Sequence, residues 1–486
     1  MAKTLQLDDI QGLIVRGYGT LPAACYLLIK CKDYHLALPW LQKLIGQITF
    51  ADSVVHQQAI NIALTYHGLR KLHLDESILQ GFSDEFRSGM RTPHKQHILG
   101  DEGESGPENW LWGGPATEDI DLLLLCYAQN TPALNKLSST LLSDMTDHGL
   151  ELIAQLDTET LLDAKEHFGF RDSIGQPYVG EFDRHKQTRP HPLPLGEILL
   201  GYPNGYDDYT KRPLVAPLKD PDNLLETDPQ GSTEHDLGLN GTYLVFRQLS
   251  QDVPGFWRNM DKQARQMSSK LSDPIALAAK LVGRWPSGTP LVQSPNFDDP
   301  DRSDKDNFNY HASDQDGLKC PLGAHIRRTN PRDSLPPQPG SVKSIAFSNR
   351  HRLLRRGRAY GKPFDKSMEP KKFLIALKRE TAPASRGLHF ICLNANIGRQ
   401  FEFVQHTWGN NPNFNGLYRD ADPIIGVRLA NNRHQDQFTI QQAPTRIQLQ
   451  GLPTFVKTRG GGYFFVPSYR ALSYLFSGSR PNKTKA

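Results

Sequence analysis

The chain has 486 residues, of which 38% are hydrophobic and 22% charged, and its formal net charge is +4. This composition is typical of a soluble globular protein, and so slight a charge gives no reason to expect a nucleic acid as partner. No run of about eighteen apolar residues occurs, so a membrane-spanning helix is not expected. A chain this long exceeds one comfortable hydrophobic core, which predicts two domains or one large one.

The N-terminus predicts the cellular compartment, and the cysteines predict the state of their thiols. The opening residues, MAKTLQLDDIQG, contain neither an apolar segment nor the twin arginine of an export signal, so the chain is expected to stay in the cytoplasm. The cysteines are scattered, odd in number and free of any CxxC pair, which predicts buried reduced thiols rather than disulfides or a zinc site. They are Cys25, Cys31, Cys126, Cys320 and Cys392.

The first third of the chain alternates strand and helix patterns. Apolar residues recur at a period of two over 60–66, the mark of a half-buried strand, and 119–128 is a continuous apolar run typical of a central strand. Thr131 followed by Pro132 forms a helix start. The predicted strands are 10–18, 23–30, 60–66, 119–128 and 150–156, and the predicted helices are 36–45 and 131–149. Many strands with short connections indicate an α+β fold, an antiparallel sheet with helices on one face.

The rest of the chain repeats this order after a long connection. Residues 184–229 are dense in Pro, Gly, Asp and Tyr, which predicts an ordered loop that crosses between domains. Strands are then predicted at 242–249, 388–392 and 463–466, and helices after Asp252, from Asp273 to Gly283, and at 399–408.

Three short segments carry the residues with chemical potential. HFGFRDSIGQPYV, residues 167–179, presents Asp172 on a glycine-rich turn beside aromatic residues, where a carboxylate is costly unless it is used or paired. CPLGAHIRRTNPR, residues 320–332, places His325 before three arginines, which suits a neutral metal ligand beside an anionic group. LLRRGRAYG, residues 353–361, adds further guanidinium groups. An acid, an imidazole and several arginines are the components of a haem peroxidase pocket.

Each of these residues also has a simpler explanation. His325 is one of seventeen histidines, and most histidines are surface or core residues rather than ligands. An aspartate such as Asp172 often does no more than close a turn. Taken alone, the residues leave both explanations open.

At these segments the chain resembles the dye-decolorizing (DyP-type) haem peroxidases and is similar to their long bacterial-type members. The resemblance continues in chain order through DIQGLIVRGYG, NGTYLVFRQL, GLHFICLNANIGRQFEFVQHTW and RGGGYFFVP. It implies two ferredoxin-like modules, antiparallel sheets with helices packed on them, in a dimeric α+β barrel-like arrangement. Residues 1–160 would form the N-terminal module, and residues 161–486 would form the haem-binding module with its long loop insertions.

The resemblance also implies roles for individual residues. His325 would be the proximal iron ligand of one haem b per chain, while Asp172 and Arg355 would lie on the opposite, distal side. Asp172 would serve as acid and base toward hydrogen peroxide, and Arg355 would stabilise developing negative charge. Further haem contacts are implied for Ser173, Ile174, Gly175, Arg284, Asn330, Pro331, Arg332 and Arg355, with Leu388 and Phe390 as walls of the distal cavity.

Two residues depart from the family pattern. Ser173 stands where glycine is typical, which costs about 1 kcal/mol if the position needs a positive φ, and its hydroxyl would lower the basicity of Asp172 if the two were hydrogen-bonded. Asn396 stands where relatives often have an aspartate. If Asn396 accepts the imidazole proton of His325, the ligand is less imidazolate-like.

The remaining charged and aromatic residues are assigned simpler roles. Arg352, Arg356 and Arg358 are interpreted as a solvated basic face, and the acidic stretch 298–317 as a solvated loop rather than a calcium site. Trp408 and Tyr360 are candidates for carrying electrons to large substrates, although packing explains most such residues.

The predicted function is reduction of hydrogen peroxide coupled to one-electron oxidation of organic reductants, dyes and phenols among them. The expected partners are hydrogen peroxide and small or bulky aromatic reductants, with no nucleic acid and no membrane, and a homo-oligomer is left open. Three alternatives remain: a non-catalytic haem carrier, a haem enzyme that releases iron, and a peroxidase whose acid is misaimed by Ser173.

Overall fold

The computed structural model describes residues 5–182, 191–267, 269–378, 384–428 and 436–477. Within these ranges the strands are β1 (Ala23–Cys31), β2 (Gln58–Leu64), β3 (Leu122–Ala128), β4 (Leu150–Asp157), β5 (Leu214–Val215), β6 (His235–Asp236), β7 (Thr242–Gln251), β8 (Leu354–Arg355), β9 (Arg358–Tyr360), β10 (Gly387–Asn394), β11 (Phe438–Ile440), β12 (Ile447–Leu449) and β13 (Val456–Val466).

Short helices connect and cover these strands. The α-helices of the described ranges are α1 (Gly12–Val15), α2 (Tyr34–Ile45), α3 (Tyr66–Lys71), α4 (Glu76–Gln80), α5 (Asp84–Ser88), α6 (Pro93–Leu99), α7 (Thr131–Ser143), α8 (Val253–Ala264), α9 (Pro274–Val282), α10 (His311–Asp314), α11 (His325–Thr329), α12 (Val342–Asn349), α13 (Pro370–Ala376) and α14 (Tyr469–Leu475). Two π-helical segments, Gly398–Glu402 and Val404–Asn410, follow β10. None of the helices described is both long and apolar enough to cross a membrane.

One antiparallel sheet forms the centre of the molecule. Its strands lie in the order β4-β1-β3-β2-β13-β7-β10-β8, and β9 also pairs with β10. The order β4-β1-β3-β2 in the first half is repeated by β13-β7-β10-β8 in the second, and the halves join where Leu64 of β2 pairs with Phe465 of β13. The predicted α+β fold is confirmed. The barrel-like closure is not seen, because the described strands leave the sheet open at β4 and β8, and the domain boundary at residue 160 stays a prediction.

Both faces of the first half-sheet are buried because side chains alternate along each strand. On one face, Leu124 and Cys126 of β3 pack in the core that α2 and α7 cover. On the other face, Leu123 and Leu125 share a core with β7, β10 and β13. The five cysteines are all buried and free, as the sequence predicts.

Two arginines hold the second half of the chain against the first. Arg356 donates through Nε to the carbonyl of Leu13 at 2.7 Å, and Arg358 donates through Nη1 to the carbonyl of Leu21 at 2.7 Å. Arg358 also lies over the ring of Tyr127, 4.8 Å from its centroid. The interpretation of these arginines as a solvated basic face is therefore wrong.

Most predicted elements are present, with ends that differ by a few residues. The exception is 10–18, which contains the short helix α1 instead of a strand. There the side chain of Gln11 donates to the carbonyls of Ile62 at 2.9 Å and Pro467 at 2.8 Å, and the backbone of Gln11 forms one isolated bridge with Phe50 in place of a strand ladder. Asn130, one residue before the predicted start, caps α7. Residues 183–190 of the predicted connecting loop lie outside the described ranges.

Candidate active site

A cavity of about 510 Å³ lies between the sheet of the second half and the helical segments that follow it. This volume is in the range of cofactor and small-molecule sites. The predicted site residues that line the cavity are Asp172, Ser173, Ile174, Gly175, Arg284, His325, Asn330, Arg332, Arg355, Leu388 and Phe390. Pro331 is the predicted contact that does not line it, although its neighbours on both sides do.

His325 is the first residue of α11, and its ring faces the cavity. Its Nδ1 lies 2.9 Å from Oδ2 of Asp422, a residue with no exposed surface. Burial alone would raise the pKa of Asp422, but the charges of His325 and Arg328 and the hydrogen bond from His325 outweigh it and lower that pKa. The carboxylate is therefore ionised and can only accept, so Nδ1 is the donor. Nε2 has no hydrogen-bond partner in the described part of the chain.

Asn396 does not bind His325, so that hypothesis is wrong. Its Oδ1 accepts the backbone N–H of Arg399 at 2.8 Å, at the start of the π-helical segments. The actual partner, Asp422, follows His325 by 97 residues. An imidazole that donates to a buried carboxylate becomes more basic, so the reason to expect a weakened ligand disappears.

Buried arginines fix the position of α11. Arg327 donates through Nη1 to Oδ2 of Asp314 at 2.9 Å and to the carbonyl of Cys320 at 2.7 Å. Arg328 donates to the carbonyls of Trp408 at 2.5 Å and Asn411 at 3.1 Å. Of the three arginines that follow His325, only Arg332 lines the cavity. The other two satisfy buried oxygen atoms, which would be costly to leave unpaired.

Asp172 lies on a turn that separates the cavity from a wider and more open hollow of about 960 Å³, and it lines both. Its backbone N–H donates to the carbonyl of Ala164 at 2.9 Å, which closes the base of the turn. Ser173 has a φ of 66°, so the serine adopts the left-handed conformation that favours glycine. The cost of about 1 kcal/mol expected from the sequence therefore applies.

Ser173 contacts the acid through its backbone and not through its hydroxyl. The Ser173 N–H donates to Oδ1 of Asp172 at 2.5 Å, and any residue at this position would supply that donor. Among the described residues no hydrogen bond joins the Ser173 hydroxyl to Asp172. Nothing in the structure therefore supports a loss of basicity caused by the serine side chain.

Arg355 is held beside this turn by Gln176, a residue that sequence reasoning missed. The backbone N–H of Arg355 donates to Oε1 of Gln176 at 3.1 Å, and Nε2 of Gln176 donates back to the Arg355 carbonyl at 3.2 Å. Burial alone would lower the pKa of His325, but the neighbouring carboxylate of Asp422 outweighs it and raises that pKa. The predicted acid, cation and imidazole all line the same cavity.

The walls of the cavity are largely apolar. Leu388 and Phe390 both face it from β10, and their partners across the sheet on β7 are Leu249 and Arg247, which also line it. The opposite wall comes from the π-helical segments and from the loop after Asp422. The sequence did not predict its residues as part of a site, because their apolar pattern is the same as that of ordinary core residues. They are Phe401, Val404, Ile424, Ile425 and Val427.

A connected group of cations lines another part of the cavity. Oδ1 of Asp306 accepts from Arg284 Nη2 at 2.8 Å and also from Arg332. Arg352 has no carboxylate partner among the described residues, and burial together with the charge of Arg332 lowers its pKa to about 9. Cations placed so close together favour an anionic ligand. Arg352 therefore does not belong to a solvated face, and the solvated-loop interpretation is wrong for Asp306 and for the buried Asp314.

The two candidate electron carriers are both buried. Trp408 packs edge to face on Phe403, and Tyr360 stacks on His389 at 4.5 Å between ring centroids. Packing accounts for the position of each, and a role in electron transfer stays a prediction.

Comparison with known proteins places this geometry in a family. No family model matches the chain. It is 31% identical over 503 residues to the dye-decolorizing peroxidase AauDyP1 of Auricularia auricula-judae, an alignment that covers 97% of this chain and 87% of that relative. An ancestral D-type dye-decolorizing peroxidase matches with a TM-score of 0.74 and 27% identity, over 98% of this chain and 100% of its own.

A further solved structure, a dye-decolorizing peroxidase in complex with 2,6-dimethoxyphenol, matches with a TM-score of 0.75 over 98% of this chain and 100% of its own, and its 24% identity shows the fold alone. The bacterial-type qualifier stays a prediction. Because the similarity to AauDyP1 extends over nearly the whole chain, and the motifs expected from the sequence meet in one cavity, the chain belongs to the dye-decolorizing (DyP-type) peroxidases, a family of haem enzymes.

Proposed function

We propose that this protein is a peroxidase that binds one haem b in the cavity, reduces hydrogen peroxide and oxidises aromatic reductants, dyes and phenols among them, by one-electron steps. The observation that supports this most strongly is the setting of His325. Its Nδ1 donates to a buried carboxylate while Nε2 is left for a ligand bond. A histidine that ligates metal is typically oriented by such a partner.

The rest of the cavity fits the same cofactor. Apolar walls on two sides suit the faces of a porphyrin, and Arg284, Arg332 and Arg352 are the cations that would pair with its two propionates. We also assign haem contacts to Ser173, Gly175 and the other cavity-lining residues expected from the sequence. Haem, when bound, supplies the iron that cleaves the peroxide bond and accepts electrons one at a time.

Asp172 would transfer the proton of the peroxide reaction, and Arg355 would stabilise the negative charge that develops. In its ionised form Asp172 would take a proton from one oxygen of hydrogen peroxide and pass it to the other, which leaves as water. Arg355 would stabilise negative charge as it develops on the departing oxygen. The wider hollow shares Asp172 and Arg352 with the cavity, and we assign it as the side from which peroxide would reach the acid.

The test is the absorption spectrum of His325→Ala after loading with haem, before and after one equivalent of hydrogen peroxide. His94→Ala, which alters an exposed histidine outside the cavity, is the matched control. Wild type and the control should bind haem with the same spectrum, which peroxide changes at once, whereas His325→Ala should lose haem or show altered ligation. Full occupancy with unchanged ligation in His325→Ala would refute the proposal.

A further inference from the structure

The turn that carries Asp172 contains a second carboxyl group, Glu166, which also lines the cavity. Its Oε2 accepts the backbone N–H of Phe168 at 2.8 Å and Nε2 of Gln251 at 2.7 Å, and its Oε1 accepts the backbone N–H of Phe170 at 3.1 Å. Within the described ranges no cation pairs with Glu166. The carboxylate is satisfied by neutral donors alone, of which two belong to its own turn and one to β7.

The backbone of the turn closes around this residue. The Glu166 N–H donates to the carbonyl of Phe170 at 2.9 Å, the Gly169 N–H donates to the carbonyl of Glu166 at 2.8 Å, and Lys165 pairs with Arg171 across the base. Asp172 is the next residue after Arg171. The position of the acid over the cavity therefore depends on how firmly the turn is held.

The outer side of the turn is packed against helix α8. The ring of Phe168 lies 4.6 Å from that of Phe256, and the ring of Phe170 is parallel to that of Trp257 at 6.3 Å. Trp257 also donates through Nε1 to the carbonyl of Phe168 at 3.1 Å, so α8 holds the turn against the core on this side. The bond from Gln251 to Glu166 is a polar tie from the turn to β7, whose other residues form the cavity wall.

We propose that Glu166 is a positioning residue for the peroxide reaction, because its carboxylate clamps the turn to β7 and so fixes Asp172 over the cavity. The inference rests on the proposed function, since it assigns a role within that reaction. It adds a second carboxyl group, whose observed hydrogen bonds go to the turn and to β7 and whose role is to act through the turn.

The state of the clamp should depend on pH. Burial raises the pKa of Glu166 to about 7, against the effect of its three donors, and the charge of Asp172 raises it further. The elements packed against Glu166 contribute neutral groups, the amide of Gln251 from β7 and aromatic rings from α8. A protonated carboxyl accepts less well, and the two backbone N–H groups can only donate, so protonation weakens the bonds from Phe168 and Phe170; the Gln251 amide would have to turn its unpartnered Oε1 toward Glu166 to accept the new proton. The clamp should be complete above about pH 7 and weaker below it.

The test compares Glu166→Gln, Gln251→Leu and Glu159→Gln, each loaded with haem, by stopped-flow measurement of the rate constant for the reaction with hydrogen peroxide between pH 5 and 9. Glu159 is exposed and outside the cavity, so Glu159→Gln is the matched control. At pH 8 the rate constant should fall about tenfold in Glu166→Gln, the equivalent of one hydrogen bond to a charged group, and less in Gln251→Leu. The increase in rate constant through about pH 7 should be present in wild type and control and absent from Glu166→Gln.

An infrared titration of the haem-free protein gives an independent measurement. The band of a protonated carboxylic acid should disappear as the pH rises through about 7 in wild type and should be missing from Glu166→Gln. A rate constant and pH profile in Glu166→Gln equal to those of wild type would overturn the inference.

If Glu166→Gln does not retain haem, Gln251→Leu decides, and an unchanged rate constant in that variant would also overturn the inference. A wild type that binds haem but does not react with peroxide would overturn the proposed function itself. The two failures are therefore distinguishable.

Discussion

The two sides of the cavity hold their key residues by different means. His325 begins a helix supported by fully buried charges, with Asp422 on its ring and Arg327 and Arg328 behind it. Asp172 lies on a partly exposed turn, beside a serine in the left-handed conformation, and the turn is held by backbone N–H groups and by the carboxylate of Glu166, whose donors are all neutral. Removing one member of a buried charged pair typically costs several kcal/mol, whereas a single hydrogen bond is worth about 1 to 3 kcal/mol. The side of the cavity that carries His325, the ligand side, is thus held rigidly. The side that carries Asp172, the acid side, can adjust.

The largest effect on the reaction with hydrogen peroxide is expected from a substitution of Asp172. Asp172→Asn removes the group that accepts and returns the proton but keeps its shape, so the rate constant with hydrogen peroxide should fall by about 10²- to 10⁴-fold. Haem content and the resting absorption spectrum should not change, because the ligand side is untouched. Stopped-flow spectroscopy measures both. An unchanged rate constant would favour the non-catalytic haem carrier.

Acid unfolding tests both sides at once, because each has a buried neutral histidine. Burial lowers the pKa of His351, which stacks on Phe403 near the ligand side, to about 4, and it does the same to His167 on the acid side. A lowered histidine pKa stabilises the fold above the unfolded value of about 6.5, and that stability is lost as the pH falls from 6.5 toward 4. Each histidine accounts for at most about 3 kcal/mol of this loss.

The measurement is the free energy of unfolding of His351→Gln and His167→Gln between pH 4 and 7. Each variant should lose less stability than wild type over this range. Because the two histidines have similar pKa values, the two variants should reduce the acid-induced loss of unfolding free energy by similar amounts. A smaller reduction in His167→Gln would show that the acid side relaxes around the protonated His167. Curves parallel to that of wild type in both variants would contradict the account.

A smaller effect, on haem affinity and reduction potential, is expected when Asp422, the hydrogen-bond partner of His325, is changed. Asp422→Asn leaves a hydrogen-bond acceptor but removes the charge, so haem affinity should fall about 10- to 100-fold and the reduction potential of the haem-loaded protein should rise. Asn396→Asp is the matched control, since Asn396 caps a helical segment and does not contact His325. Haem titration and redox titration check both variants. A lowered potential in the control, together with an unchanged potential in Asp422→Asn, would reverse the assignment.

The smallest effect is expected at Ser173. Glycine relieves the cost of a positive φ but loses more conformational freedom on folding, so Ser173→Gly should change the free energy of unfolding by less than about 1 kcal/mol. The N–H that donates to Asp172 is retained, so the rate constant with peroxide should stay close to that of wild type. Denaturant unfolding and stopped-flow spectroscopy check this. A large increase in rate would instead support a peroxidase impaired by its serine.

The fold and the main site residues were within reach of the sequence because their signals are local. The continuous apolar run of β3, the asparagine and proline at the start of α7, and the motifs around Asp172 and His325 can each be recognised in a short window. The segment 10–18 was predicted as a strand from its apolar residues, but it contains α1, and its links to the sheet include the side chain of Gln11.

The supports of the site could not be found in this way because they depend on contacts between distant segments. Asp422 is one of two buried aspartates within three residues, and only the folded chain decides that it, rather than Asp420, meets His325. Gln176 and Asp306 likewise acquire their roles from residues far along the chain. A carboxylate such as Glu166, whose donors are all neutral, has no sequence signal beyond its position before the motif.

The most direct test of the account is a crystal structure of the haem-loaded wild-type protein. We predict iron bound to Nε2 of His325, the bond from Nδ1 to Asp422 retained, and Asp172 and Arg355 on the opposite face of the porphyrin. Iron bound by any other residue, or haem outside this cavity, would contradict it.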